Sequence, residues 1–138
     1  MSESVEHRIL VEELSGWVLR ELLENDRGYL RVDNESYRNS EYSKLIVNGF
    51  RPDVFAFVNR SNLLVIGEAK TALDIDREHS VMQYRSYYDT CILNSGESYI
   101  VFAVPFACAP RLRNVLRNAA ISGNERIKIK ILEFLCNK

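Results

Sequence analysis

The chain predicts an α/β fold, a mixed central β-sheet flanked by helices in a single domain over residues 1–138. Three observations carry this. A helical apolar period opens the chain, two neighbouring β-rich segments are apolar on both alternating faces, and helix-like and strand-like segments then take turns to the end. Strands apolar on both faces need cover on both sides, which helices packed against a sheet supply. A length of 138 residues suits one compact domain with a sizeable core.

Over residues 5–25, Leu10, Val11, Leu14, Trp17, Val18 and Leu22 recur at steps of three and four, the period of an amphipathic helix. Asn25-Asp26-Arg27-Gly28 ends it. Residues 29–33 read as a short strand, 34–43 as a polar loop and Lys44–Val47 as another short strand. Asp53–Val58 and Leu63–Glu68 are β-rich and joined by the polar tetrad Asn59-Arg60-Ser61-Asn62, which predicts a hairpin. Asp74 or Asp76 is the expected cap of a helix running to about Cys91. Residues 98–106 form a strand around Tyr99–Val104. Pro110 opens a helix to about Ala120, stopped by Ser122-Gly123-Asn124. Residues 126–135 make a last strand, whose lysines 128 and 130 suit a sheet edge because they discourage pairing with another sheet.

Composition narrows the function. The net charge of -1 supplies no global field for nucleic acid, so any such site must rest on a local basic patch. No apolar run reaches the length of a membrane span, and the acidic, polar start is unlike a secretory signal. Cys91, Cys108 and Cys136 are odd in number and lack a CxxC spacing, so neither a disulfide framework nor a zinc site is expected. The expectation is a cytoplasmic protein with reduced thiols and no membrane partner.

Charges on apolar strands point to chemistry. Arg51-Pro52-Asp53 begins one β segment, and Glu68-Ala69-Lys70 ends the next. With a four-residue turn at 59–62, Val58 faces Leu63, Phe55 faces Ile66 and Asp53 faces Glu68. The two acids then have β-carbons roughly 4.5–5.5 Å apart, and Lys70 lies on the same face about 7 Å further along. Facing carboxylates repel unless neutralised. Lys70 does part of this, and a divalent cation would do more. Mg2+ suits hard oxygen donors with waters completing its shell, and the Ala69 carbonyl is a candidate third protein ligand. A cation there polarises a phosphate and acidifies a water, while Lys70 orients or deprotonates that water or stabilises developing charge.

These residues resemble the PD-(D/E)XK nuclease superfamily, whose motif is Pro-Asp, a variable gap, then Asp or Glu, any residue, and Lys. Here it reads Pro52-Asp53 and Glu68-Ala69-Lys70. The resemblance covers about residues 5–105. It implies a restriction-endonuclease-like fold, an αβββαβ core with a C-terminal helix and strand added. It also implies a hydrolase that cleaves DNA phosphodiester bonds with Mg2+, for which Mn2+ substitutes. Asp53 and Glu68 would bind metal and Lys70 would be catalytic. The implied activity is that of an endonuclease in repair, restriction or mobile-element defence, with RNA open as a substrate. A nuclease-fold module that binds nucleic acid or protein without cutting is the alternative.

Further candidates follow. His79, Gln83 and Tyr87, four apart, share a helical stripe just beyond Lys70. Gln83 and Tyr87 also resemble the Gln-x-x-x-Tyr signature of the RecB-like exonucleases, where they would contact a DNA strand. His79 is an accessory candidate. Many members carry an acid on the first helix, and of Glu6, Glu12, Glu13 and Glu21 the choice is Glu13. His7 falls on the apolar face and reads as a half-buried histidine rather than a ligand. Arg51 and Arg85 are the candidate phosphate contacts, while Arg111, Arg113 and Arg117 read as part of a mixed-charge surface. The chain leaves little room for target recognition, which points to a homodimer or a larger complex.

Overall fold

The computed structural model describes residues 4–33 and 49–136. The expected loop 34–43 and strand Lys44–Val47 lie outside the described residues. Helix α1 spans Val5–Glu21, strands β1, β2 and β3 span Arg31–Val32, Val54–Val58 and Leu63–Ala69, and helix α2 spans Glu78–Leu93. Strand β4 (Ser98–Pro105), helix α3 (Ala109–Asn118) and strand β5 (Ile127–Phe134) complete the order. Single 3-10 turns lie at Arg27–Tyr29 and Ala72–Asp74.

The five strands form one open sheet in the order β1-β2-β3-β4-β5. β1, β2 and β3 are antiparallel, and β3, β4 and β5 are parallel. The hairpin needs only the four residues 59–62, whereas each parallel step requires a crossover, supplied by α2 and α3. α1 covers one face, where Leu10, Leu14 and Val18 pack on Val54, Val65 and Val101. α2 and α3 cover the other, where Tyr84, Tyr87 and Leu112 pack on Ile66, Ile100 and Phe102. Strand alternation assigns odd residues of β3 to the first core and even residues to the second, which fixes where Glu68 points.

Three local expectations need correcting. Asp74 and Asp76 do not cap α2. Asp74 ends the 3-10 turn Ala72–Asp74, and the N-cap position falls to Arg77, whose side chain makes no capping bond. β2 is not covered on both faces, because Phe57 is 39 % exposed. α2 and α3 sit over the parallel half of the sheet, since they are the crossovers of that half. Finally, β2 starts at Val54, so Arg51 lies on no strand and shares no strand face with Asp53.

Candidate active site

The hairpin register is Val58 opposite Leu63 through Val54 opposite Gly67. One step further, Asp53 and Glu68 come together at the carboxyl end of β3, the end of a parallel sheet where ligands bind in open α/β folds. Asp53 is held on three sides. Its carbonyl accepts from Asp33 N–H at 2.8 Å. Its Oδ2 accepts from Ala69 N–H at 2.9 Å. His7 Nε2 lies 3.3 Å from the same oxygen, where an Nε2–H donates to the carboxylate.

Glu68 lies on the α2 face of the sheet. Its Oε1 accepts from Tyr87 O–H at 2.9 Å, and its Oε2 is 3.6 Å from Lys70 Nζ. Lys70 Nζ also donates to Gln83 Oε1, and the Lys70 N–H bonds the Ala103 carbonyl at 3.0 Å, anchoring the strand end to β4. Only 8 %, 4 % and 8 % of Asp53, Glu68 and Lys70 are exposed, so these charges interact with little water between them. Burial, then the Asp53 charge, push the Glu68 carboxyl well above the usual carboxylate range, against the opposing pull of Lys70 and the Tyr87 hydroxyl. An acid pair that resists double ionisation has a place for added positive charge.

The predicted trio is thus brought together, and the other candidates divide. Gln83 and Tyr87 reach the site, but from within. They are 8 % and 0 % exposed and bond Lys70 and Glu68, so they orient the trio rather than lie along a nucleic-acid strand. Their stripe of α2 faces the sheet because Tyr84 and Cys91 on the same side enter the core. Arg85, about 200° round the helix from Gln83, is on the outer face. Its guanidinium is engaged by Asp89 at 3.4 Å, the Ala119 carbonyl at 3.1 Å and the Tyr88 ring at 5.6 Å, so it ties α2 to the α3 end and is not a free phosphate contact at the site.

His79 is exposed and packs edge-on against Phe50 with ring centroids 5.4 Å apart, outside the acidic cluster. Glu13 is exposed on α1 and, among the described residues, no hydrogen bond or ion pair joins it to Asp53, Glu68 or Lys70, so it is not brought to the site. His7 is the residue that α1 sends to the site. Ser4 Oγ caps the helix by accepting His7 N–H at 3.0 Å, which fixes the turn carrying the imidazole. The signal was its place on the apolar stripe one turn before Leu10. Arg51 is exposed beside the buried Pro52-Asp53.

The donor chemistry can be tested against a divalent cation. Among the described residues no three His, Cys, Asp or Glu side chains form one ligand group. Two carboxylates remain, with the Ala69 carbonyl on the same side of β3 as its Asp53-bound N–H. That small oxygen set, with waters completing an octahedron, fits Mg2+.

The fold and site define an α/β protein with a five-stranded mixed open sheet and a buried carboxylate–ammonium cluster at a strand end. Compared with protein-family models, curated proteins and solved structures, the chain matches none. No helix among the described residues is long and apolar enough to cross a membrane.

Proposed function

We propose that the protein is a metal-dependent nuclease of the restriction-endonuclease-like fold, hydrolysing DNA phosphodiester bonds. The observation that carries this is the acid pair: Asp53 and Glu68 meet at the strand end with Lys70 beside them, and burial and the Asp53 charge hold the Glu68 carboxyl above its ordinary range. Asp53, Glu68 and the Ala69 carbonyl would hold Mg2+ or Mn2+, which supplies Lewis-acid polarisation of the phosphate. Lys70, oriented by Gln83, is the amine that faces developing negative charge on the phosphoryl group. Tyr87 and His7 fix the two carboxylates, so little rearrangement is needed at reaction.

The test is a cleavage panel with Mn2+ on linear, circular, single-stranded and branched DNA, comparing wild type with Glu68→Ala. Circular DNA cut by wild type, with the variant at least about a hundredfold slower, supports the reading. Wild type inert on every substrate defeats it.

One observation favours a second reading, a binding module that does not cut. Asp53, Glu68 and Lys70 each already have protein partners and are nearly closed to solvent, as in a structural ion cluster. In that case Lys70→Ala lowers the melting temperature, leaves nucleic-acid binding unchanged, and Mn2+ does not alter stability.

A further inference from the structure

A second surface lies across the sheet from the acid pair. β5 is the last strand of the sheet, and among the described residues no strand pairs with its outer edge. Even residues of β5 turn their main chain toward β4, as Arg126 C=O does to Ser98 N–H and Phe134 C=O to Phe106 N–H. Strand alternation therefore turns the N–H and C=O groups of the odd residues outward. Asn124 takes both groups of Ile127, with its N–H donating to Ile127 C=O and its Oδ1 accepting Ile127 N–H, each at 2.8 Å. Gly123 permits this close approach, since a β-carbon there would lie 3.0 Å from Ile127 O. Gly123 also lies beside Ile129 N, so the main chains of Ile131 and Glu133 are left along the open edge.

Beside that edge runs a groove of about 430 Å³ between β5 and α3. Its apolar walls are Leu116, Ile121, Ile129 and Ile131, and its charged residues are Arg113, Arg117 and Lys130, with no acid among its lining. Three acids of the neighbouring segments are committed elsewhere. Glu133 Oε2 accepts Ala109 N–H at 2.7 Å, Glu97 pairs with Lys128 at 2.9 Å, and Asp76 pairs with Arg111 at 3.5 Å. Arg117 contacts only the neutral Asn114 amide oxygen, at 3.1 Å, among the described residues.

We propose that this edge and groove form a docking site for an extended acidic segment of a partner protein, added to the sheet as a sixth strand. Three features select that occupant. An open strand edge alternates N–H and C=O groups, all of which a peptide main chain can pair, whereas a phosphate can accept only from the N–H groups. The isoleucine-lined wall takes aliphatic side chains. Arg113 and Arg117, four apart on α3, stand about 6 Å apart along the helix, close to the roughly 6.6–6.8 Å between side chains two apart on one face of a strand. The preferred segment therefore carries two carboxylates two residues apart, with aliphatic residues around them.

The test uses the full chain and fluorescent peptides of the eight-residue length of β5, built of valine and threonine with two glutamates two apart. Fluorescence anisotropy should give saturable binding. Binding should weaken about tenfold or more in Arg113→Glu/Arg117→Glu, with circular dichroism confirming that the variant, altered only at exposed positions, is folded. It should fall similarly when alternate peptide nitrogens are methylated, and when the glutamates are moved to three residues apart. No saturable binding, equal binding by the charge-reversed variant, or equal binding of the methylated peptide overturns the proposal. So does displacement of the peptide by a DNA duplex alone, which makes the groove a nucleic-acid surface. A concentration-dependent dimer seen by sedimentation and abolished by the same substitutions also overturns it, since a second copy then fills the edge.

Discussion

Replacing Glu68 by glutamine removes one charge from the buried cluster while keeping its shape. Lys70 Nζ is 3.6 Å from Glu68 Oε2, and Asp53 lies within hydrogen-bonding reach of the same carboxyl. At an effective dielectric of about 20, one such pair near 4 Å is worth about 4 kcal/mol. The two contacts have opposite signs, the Asp53 repulsion outweighs the Lys70 attraction, and desolvation acts in the same direction as the repulsion. Asp53, Glu68 and Lys70 sum to one negative charge when all are ionised, whereas with glutamine the cluster is neutral and Oε1 still accepts from Tyr87. Glu68→Gln should therefore stabilise the metal-free protein at neutral pH by about 1–3 kcal/mol. For a chain of 138 residues that is a rise in Tm of about 3–10 °C. The sign of the pH dependence is fixed. Because the Glu68 carboxyl is held above its ordinary range in the folded state, wild-type stability on this account falls as pH rises from the ordinary glutamate value through the raised one, then levels off. The gap between variant and wild type should thus be close to zero below about pH 4, where glutamate is protonated folded or unfolded, and open through that window. Differential scanning fluorimetry across pH with chelator measures it. A variant melting below wild type at neutral pH refutes the reasoning. With Mn2+ at a hundredfold over its Kd, wild type should gain about 2.7 kcal/mol and the variant clearly less.

Tyr87→Phe removes the hydroxyl that donates to Glu68 Oε1 and should cost about 1–2 kcal/mol in urea denaturation. It should also move the rising limb of any cleavage–pH profile to higher pH, because that bond holds the Glu68 carboxyl down. Gly67→Ala would place a β-carbon 3.0 Å from Val54 Cβ and 3.1 Å from Leu14 Cδ2, so about 1–3 kcal/mol of overpacking should appear as a lower urea midpoint. Burial lifts the Cys91 thiol to about 11 and leaves it no exposed surface, so a disulfide reagent near pH 8 should leave it unlabelled until the protein unfolds. Peptide mapping of the labelled thiols would show it.

The hairpin register was legible because a four-residue polar tetrad between two apolar runs allows few pairings, and Asp53 and Glu68 followed from it by counting. Which way a helix stripe faces was harder to read. Gln83 and Tyr87 were recognisable as one stripe of α2. Their inward direction, however, is set by Tyr84 and Cys91 seeking Phe102 and Ile100 across the sheet, a tertiary preference that helical spacing does not encode. The same gap misplaced Arg85, whose outward position follows once Gln83 is known to face in. An imidazole on an apolar stripe, as His7 is, usually ends in a core. Here the stripe overhangs the sheet end, so its first turn meets Asp53. Place along α1 favours Glu13, but helical spacing does not encode which side of the helix the sheet occupies. Phe57 broke the two-sided pattern of β2 because crossover helices cover only the strands they connect.

The tight turn at 59–62 sits at the opposite end of the hairpin from the acids. Residues inserted into that turn would bulge into solvent and leave the ladder from Val54 to Gly67 in step. Loss of a single residue between Leu63 and Gly67 would rotate everything after it by half a pleat, sending Glu68 to the side where Leu14 packs and stranding Lys70 away from Gln83. Such a chain would keep its composition and nearly all its core, yet no acid pair would form. Sequence length is thus permissive at one end of this ribbon and rigid along the strand that leads to the other.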